Sequence, residues 1–291
     1  MFSGSIVALV TPMSVHGDID YASLQNLVAW HLASGTDAVV ILGTTGESAT
    51  VEPAERVEII RRVVDQLANQ IPVIVGTGTH STRHTIELTQ EAMKLGADAV
   101  LLVTPYYNKP TQEGLFQHFK AVAQAVPIPQ ILYNVPSRTG CDLLPETVLR
   151  LGVFANIVGL KEATGDIRRV QQLLTAGCAM DLLSGDDKTA MEFILAGGKG
   201  VISVVANVVP KEFHQLCAAL LAGDKSLAER LNTQLSPLYT QLFVESNPIP
   251  TKWALARMAR IPEGIRLPLT PLSADLQVGV LKAMQIAGIQ T

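Results

Sequence analysis

Eight short apolar segments recur along the first two thirds of the chain, and each is followed by a stretch with the periodicity of a helix. They are apolar throughout rather than alternating, which is typical of parallel strands in a sheet covered on both faces. Eight consecutive strand–helix units predict an α/β fold of the (β/α)8 TIM-barrel type. A doubly wound open sheet is the alternative, but no GxGxxG fingerprint follows the first segment. The segments span residues 5–12, 37–43, 72–76, 98–105, 129–136, 157–161, 180–184 and 200–206.

Polar residues between the segments mark where helices begin. Asp20 is a predicted N-cap, and Ser81 and Thr111 begin further helices. We predict a barrel over residues 1–223 and a C-terminal helical extension over residues 224–291. The extension should pack on the outside of the barrel, shape access to its site or join subunits. Its helical patterns cover residues 224–243, 251–260 and 273–286.

Charge and cysteine content exclude several classes of function. The formal net charge is −4, and no basic block is present to hold a phosphate backbone, which argues against nucleic-acid binding. Cys141, Cys178 and Cys217 are widely spaced and lack a CxxC motif, so disulfides and structural zinc are not expected and a reducing cytoplasm fits. The N-terminus does not have the pattern of a signal peptide, and no apolar run approaches the roughly 20 residues of a membrane span.

Lys161 ends the sixth apolar segment, where a buried strand is expected to meet a loop. Burial disfavours the ammonium and lowers the lysine pKa, which makes a neutral amine available near neutral pH. Such an amine is the nucleophile that forms Schiff bases with carbonyl substrates. The alternative is a structural lysine whose stem lies along the strand end while its head reaches water.

Functional residues of this fold lie at the C-terminal ends of its strands. One lysine, several hydroxyls and an arginine are expected to meet there. Because no cluster of His, Asp or Glu joins them, no catalytic metal is expected. The set suits imine chemistry on a small anionic carbonyl compound, with hydroxyl groups as a proton relay. The strand-end residues are Thr44, Thr45, Tyr106, Tyr107, Tyr133, Arg138, Lys161, Gly185 and Ile202.

Four motifs in this region occur in order along the chain: residues 43–47 (GTTGE), 104–108 (TPYYN), 133–140 (YNVPSRTG) and 159–163 (GLKEA). Together they resemble the 4-hydroxy-tetrahydrodipicolinate synthase family. The resemblance implies a lyase of lysine and diaminopimelate biosynthesis that condenses pyruvate with L-aspartate 4-semialdehyde. No external cofactor is implied, because the imine itself acts as the electron sink.

The resemblance also implies a role for each residue of the site. Lys161 would form the imine with pyruvate, and Tyr133, Thr44 and Tyr107 would form the proton relay. Tyr107 would enter the site of a neighbouring subunit, which predicts a homo-oligomer, a tetramer made of two tight dimers. The remaining positions would contact the substrates. Arg138 would bind the carboxylate of the semialdehyde, and Thr45 would bind the carboxylate of pyruvate. Gly185 and Ile202 would line the pocket with backbone groups.

One departure from the family concerns feedback inhibition by lysine at the dimer interface. At position 84 the sensitive enzymes carry a glutamate that pairs with the ligand's ammonium, and a histidine cannot supply that negative charge. We therefore predict weak or absent inhibition by lysine. The positions that differ from the sensitive enzymes are Pro53, Arg56, His80 and His84.

Two alternative functions stay open at this point. Another pyruvate-dependent lyase, such as N-acetylneuraminate lyase or a 2-keto-3-deoxy sugar acid aldolase, would share Lys161 and Tyr133. Arg138 offers a cation for the carboxylate of the semialdehyde, whereas a sugar-acid lyase would need groups that bind hydroxyls in this loop. A non-catalytic barrel that acts as a binding protein is the alternative of another class. The pair Asp186 and Asp187 could bind a metal or the second substrate, although such a pair more often caps the next helix.

Overall fold

The computed structural model describes residues 1–290, in which eight parallel strands close into one barrel. Each strand pairs with its neighbours in sequence, and β1 pairs with β8 to close the ring. This topology confirms the predicted (β/α)8 barrel and excludes the open sheet. The strands are β1 Gly4–Ala8, β2 Ala38–Ile41, β3 Val73–Gly76, β4 Ala99–Val103, β5 Gln130–Asn134, β6 Ile157–Glu162, β7 Asp181–Ser184 and β8 Gly200–Ser203.

The helices surround the barrel, and the three polar residues at predicted helix starts are N-caps. The Asp20 carboxylate accepts a hydrogen bond from the Ser23 amide at 3.0 Å, and Ser81 and Thr111 cap their helices in the same way. The helices are α1 Tyr21–Ala33, α2 Pro53–Leu67, α3 Thr82–Lys94, α4 Gln112–Ala125, α5 Pro136–Thr139, α6 Pro145–Leu151, α7 Arg168–Thr175, α8 Ala190–Leu195, α9 Pro210–Ala222, α10 Lys225–Gln241, α11 Ile249–Arg257 and α12 Ala274–Ile286.

Alternate strand residues form two separate apolar cores. In β2, Val40 belongs to the cluster inside the barrel, whereas Val39 belongs to the cluster between barrel and helices. Phe119 and Phe213 from the helices are fully buried in the outer cluster. Burying one such side chain contributes about 2–3 kcal/mol. Both faces of the sheet are therefore apolar, which explains the continuous apolar segments of the sequence.

Most of the observed strands are shorter than the apolar segments that predicted them, and the eighth and fifth show the reason. The eighth strand ends at Ser203, and residues Val205–Asn207 form a 3-10 helix. The fifth ends at Asn134, and the following helix α5 carries Arg138. In both places hydrophobicity continues past the strand because the loop that follows is itself buried, so apolar content alone overestimates strand length.

The helices after the barrel continue its outer layer. Helix α9 packs against β1, α10 packs against α9, and α12 packs against α10. Helix α11 contacts the 3-10 helix that follows β8, at the same end of the barrel as the strand-end residues. Within the part of the chain that the structure describes, no helix is long and apolar enough to cross a membrane.

Candidate active site

A cavity of about 240 Å³ opens at the C-terminal ends of the strands. It is lined by six of the nine strand-end residues singled out from the sequence. Two further wall residues, Phe243 and Asn247, come from the C-terminal extension. The six are Thr44, Thr45, Tyr133, Arg138, Lys161 and Gly185.

Lys161 lies on β6 with only 5% of its surface exposed. Burial lowers the pKa of its amine to about 8; the carboxylate of Asp187 acts against this shift, and the cation of Arg138 adds to it. A substantial fraction of the amine is therefore neutral near physiological pH. The side chain is buried rather than reaching bulk water, and its neutral amine could act as a nucleophile.

Tyr133 is the register partner of Lys161 on the adjacent strand β5. The Lys161 Nζ lies 4.3 Å from the centroid of its ring. Burial raises the pKa of the Tyr133 phenol, while Arg138 and the Thr44 hydroxyl oppose that shift. The phenol is therefore protonated at neutral pH and is held beside the amine, where it can give or take a proton.

Gly185 follows β7 and lies against the lysine side chain. A Cβ atom at this position would come within 2.9 Å of Lys161 Cε and 2.7 Å of Ala163 Cβ. A glycine is needed here because any side chain would displace the nucleophile. The backbone of residue 185 can therefore approach whatever Lys161 binds.

Asn247 connects two residues of the cavity wall and was not identified from the sequence. Its side-chain amide donates to the Thr45 hydroxyl at 2.9 Å, and its backbone carbonyl accepts from Arg138 Nη2 at 3.2 Å. Asn247 lies 202 residues after Thr45, between two predicted helices, where no motif indicates a site. Only the folded chain brings the three residues together.

A buried ion pair fixes the turn that carries Thr44 and Thr45. Glu47 and Lys252 are 5% and 4% exposed, and their charged groups are in direct contact. The other Glu47 oxygen accepts from the Arg266 amide at 3.2 Å. Because Lys252 and Arg266 belong to the C-terminal region, this region anchors the turn after β2.

Three strand-end residues are not part of the cavity wall within one chain. Tyr107 is 92% exposed and has a positive φ of 72°. Tyr106 packs edge-on against His80, with the ring centroids 5.2 Å apart. Ile202 belongs to the apolar cluster inside the barrel, and Val204 is the residue after β8 that lines the cavity.

Asp187 also lies near the lysine, in a role that the sequence analysis did not assign to it. Its Oδ2 accepts from the amides of Val204 and Val205 at 3.0 and 3.1 Å, and its Oδ1 is buried without a hydrogen-bond partner. Burial raises its pKa to about 6. The predicted cap is not formed: Thr189 occupies the N-cap of α8 without a side-chain cap hydrogen bond, and Asp186 accepts from the amide and hydroxyl of Thr189 instead. Asp187 orders the loop after β8.

The polar groups of the cavity are a lysine, two threonines, a tyrosine, a serine, an arginine, an aspartate and an asparagine. Among residues 1–290, no group of three or more His, Cys, Asp or Glu side chains is placed to hold a metal ion. The cavity combines a nucleophilic amine with hydroxyl groups for proton transfer and a cation for an anionic substrate.

Comparisons with known proteins agree with this chemistry. The model of the dihydrodipicolinate synthetase family matches residues 1–287. The chain is 66% identical over 290 residues to the 4-hydroxy-tetrahydrodipicolinate synthase of Coxiella burnetii, and the match covers 100% of both chains.

Two solved structures are similar over almost the whole chain. The chloride-inhibited dihydrodipicolinate synthase from Acinetobacter baumannii, complexed with pyruvate, has a TM-score of 0.98 and 51% identity, with 100% of both chains covered. A monomeric dihydrodipicolinate synthase variant has a TM-score of 0.97 and 42% identity, covering 99% of this chain and 98% of that one. These matches confirm the resemblance carried by the four motifs. The chain belongs to the dihydrodipicolinate synthetase family.

Proposed function

We propose that this enzyme condenses pyruvate with L-aspartate 4-semialdehyde to 4-hydroxy-tetrahydrodipicolinate, through a Schiff base on Lys161. The observation that carries the proposal is the buried amine of Lys161, with its pKa lowered to about 8, in a cavity that also holds a tyrosine and an arginine. Related proteins named 4-hydroxy-tetrahydrodipicolinate synthase, with identities from 56% to 66%, support the same reaction.

The first half of the reaction makes the nucleophile. The neutral Lys161 amine attacks the ketone carbon of pyruvate, and the carbinolamine loses water to give a protonated imine. The imine withdraws electrons from the adjacent methyl group, which loses a proton to give an enamine. Tyr133, with its partner Thr44, takes and returns these protons because its phenol lies beside the lysine.

The second half joins the two substrates. The enamine carbon attacks the aldehyde carbon of the semialdehyde, which forms a carbon–carbon bond and a hydroxyl group. The amino group of the same substrate then attacks the imine carbon, closes the ring and displaces the Lys161 amine. Each bond to the enzyme that forms in the first half is thus broken in the second, so the lysine is regenerated.

Two carboxylate sites orient the substrates. The Arg138 guanidinium suits the carboxylate of the semialdehyde, and the Thr45 hydroxyl with neighbouring backbone N–H groups suits that of pyruvate. Backbone groups at Gly185 and Ile202 complete the predicted pocket. The closeness of Gly185 to the Lys161 side chain supports the first of these, because a Cβ at residue 185 would come within 2.9 Å of Lys161 Cε.

The experiment that tests the reaction is trapping with pyruvate and borohydride, followed by peptide mapping. We expect a reduced adduct on Lys161 and none on Lys252, which is also buried but is paired with Glu47. A turnover assay with the semialdehyde, compared with N-acetylneuraminate and 2-keto-3-deoxy sugar acids, then separates the synthase from the related lyases. An unmodified chain would instead support a non-catalytic barrel.

We also propose a homotetramer of two tight dimers in which Tyr107 completes the relay in the neighbouring subunit. The exposure of Tyr107, at 92%, supports this, because a large aromatic side chain in a strand-end loop is otherwise unpartnered. Mixing a Lys161→Ala protein with a Tyr107→Phe protein tests the exchange. One of the two sites in a mixed dimer would regain both residues and therefore activity, whereas a tyrosine serving its own chain would restore none.

The division into a barrel over residues 1–223 and an extension over residues 224–291 is likewise our proposal. Phe243 and Asn247 in the cavity wall support a role for the extension in shaping access to the site. The Glu47–Lys252 ion pair supports a fixed rather than mobile extension. A chain that ends at residue 223 should accordingly lose pyruvate trapping.

A further inference from the structure

The two predicted carboxylate sites are joined by a single residue of the C-terminal extension. We infer that Asn247 is a positioning residue: its side chain orients the Thr45 hydroxyl toward the pyruvate carboxylate, while its backbone holds Arg138 for the second substrate. This inference rests on the proposed function and adds to it a residue that acts on pyruvate binding through Thr45.

The direction of the hydrogen bond between Asn247 and Thr45 determines where the Thr45 hydroxyl proton can point. The Asn247 amide nitrogen donates to Thr45 Oγ1 at 2.9 Å, so this hydroxyl accepts from the asparagine. A hydroxyl has one proton to donate. Since the Thr45 oxygen is occupied as an acceptor on the protein side, its proton is free to point at an acceptor in the cavity. A pyruvate carboxylate would provide that acceptor.

The orientation of the amide is itself fixed. Thr251, at the start of α11, donates from its hydroxyl to Asn247 Oδ1 at 3.4 Å, which directs the amide nitrogen toward Thr45. Asn247 is 6% exposed and Thr45 2% exposed, so water does not compete freely for these groups. Buried hydrogen bonds of this kind select one geometry because the alternative leaves a polar group unpaired.

The backbone of Asn247 contacts Arg138, the residue predicted to bind the carboxylate of the second substrate. Arg138 Nη2 donates to the Asn247 carbonyl oxygen at 3.2 Å, which keeps the guanidinium at the cavity wall. A substitution of the Asn247 side chain leaves this carbonyl in place. The side chain and the backbone of Asn247 therefore act on different substrates, and the two roles can be separated by experiment.

The test is the Asn247→Leu variant, which keeps the branched shape but removes the donor. We expect the KM for pyruvate to rise about tenfold, as for the loss of one buried hydrogen bond, while the KM for the semialdehyde changes less than about twofold. Trapping of pyruvate on Lys161 by borohydride should slow at low pyruvate and recover at saturating pyruvate. Asn247→Ser, whose hydroxyl is too short to reach Thr45, is the second variant if the leucine disturbs folding.

The matched control is Asn232→Leu, which removes an amide that accepts from the Tyr239 hydroxyl at 3.0 Å elsewhere in the extension. It should leave both KM values unchanged. A Thr45→Val background gives the decisive readout. If Asn247 acts through the Thr45 hydroxyl, adding Asn247→Leu to Thr45→Val raises the pyruvate KM no further.

A different pattern would overturn the inference. Equal rises in both KM values, or additive effects of the two substitutions, would show that Asn247 only tethers the extension. If the unaltered enzyme trapped no pyruvate on Lys161, the proposed function would fail first. Pyruvate trapping by the unaltered enzyme without the selective effect of Asn247→Leu would refute the inference alone.

Discussion

The Lys161 amine lies 4.3 Å from the centroid of the Tyr133 ring, and the two residues are register partners on adjacent strands. An aromatic face stabilises a nearby cation, which by itself would keep the lysine protonated. Burial outweighs this attraction, because the pKa of the amine is lowered to about 8. The pairing therefore keeps a proton donor close to an amine that is partly neutral at working pH.

Adduct formation on Lys161 should depend on pH in a defined direction. Only the neutral amine attacks a ketone, so the trapping rate at low pyruvate is expected to rise about tenfold per pH unit below the lysine pKa. It should level off above the pKa of about 8. The initial rate of borohydride trapping between about pH 6 and pH 10 measures this profile.

The Asp187→Asn variant tests whether the pKa of Lys161 sets the pH dependence of trapping. The Asp187 carboxylate favours the ammonium, so its removal lowers the lysine pKa further and moves the rise in rate to lower pH. The carboxyl itself has a pKa of about 6, so the shift should shrink below that value, where the carboxyl is neutral. An unchanged pH profile in this variant would show that Asp187 does not affect the pKa of Lys161.

Replacement of the phenol should separate imine formation from later proton transfers. We expect Tyr133→Phe to lower kcat by about a hundredfold or more, the usual contribution of a general acid–base group. The midpoint of unfolding should move little, since the ring stays buried among the same neighbours. Steady-state kinetics and thermal unfolding measure the two effects. A fall in stability as large as the fall in activity would contradict the relay.

Breaking the Glu47–Lys252 pair should strongly destabilise the fold. Removal of one partner leaves a buried charge uncompensated, which costs about 3–5 kcal/mol. Lys252→Met alone is therefore expected to lower the free energy of unfolding by about 3–5 kcal/mol. The double variant with Glu47→Leu and Lys252→Met should lower it by much less. Urea unfolding measures both.

The exposed pair between Arg61 and Glu58, at 3.7 Å, provides the comparison for this prediction. Arg61→Gln should change the free energy of unfolding by less than about 1 kcal/mol, since solvent screens such a pair. If the double variant at positions 47 and 252 were as unstable as Lys252→Met, the cost would come from lost packing rather than from an unpaired charge.

Inhibition by lysine is predicted to be weak or absent. His84 is exposed on α3, and its ring faces Glu87 at 3.4 Å. His80 packs on Tyr106, and Arg56 is buried and donates to the Gly76 carbonyl, so these positions, which differ from those of the lysine-sensitive enzymes, hold other partners. Activity should be unaffected by millimolar lysine, and calorimetry should detect no tight binding.

His84→Glu is the variant that tests the reason for this insensitivity. It restores a carboxylate able to pair with an ammonium and should increase inhibition by lysine. The charge-neutral change His84→Gln should not. Strong inhibition of the unaltered enzyme at low lysine concentration, with Tyr106 required for it, would contradict the prediction.

The sequence by itself determined the barrel and six of the residues that line its cavity. Continuous apolar segments such as residues 157–160 are typical of strands covered on both faces, and parallel strands bring their C-terminal ends to one edge. The residues at these strand ends therefore meet at one end of the barrel, whatever the packing of the helices and loops. They are Lys161, Tyr133, Thr44, Thr45 and Arg138. Local periodicity and strand direction are enough to predict this much.

Only the tertiary structure decided which distant residues complete the site. Asn247 reaches Thr45 across 202 residues, and Asp187 is ordered by the amides of Val204 and Val205. Neither contact leaves a periodic or compositional trace, because a hydrogen bond depends on where two chain segments meet in space. The end of β8 at Ser203 was set in the same way, by packing of an apolar loop rather than by hydrophobicity along the chain.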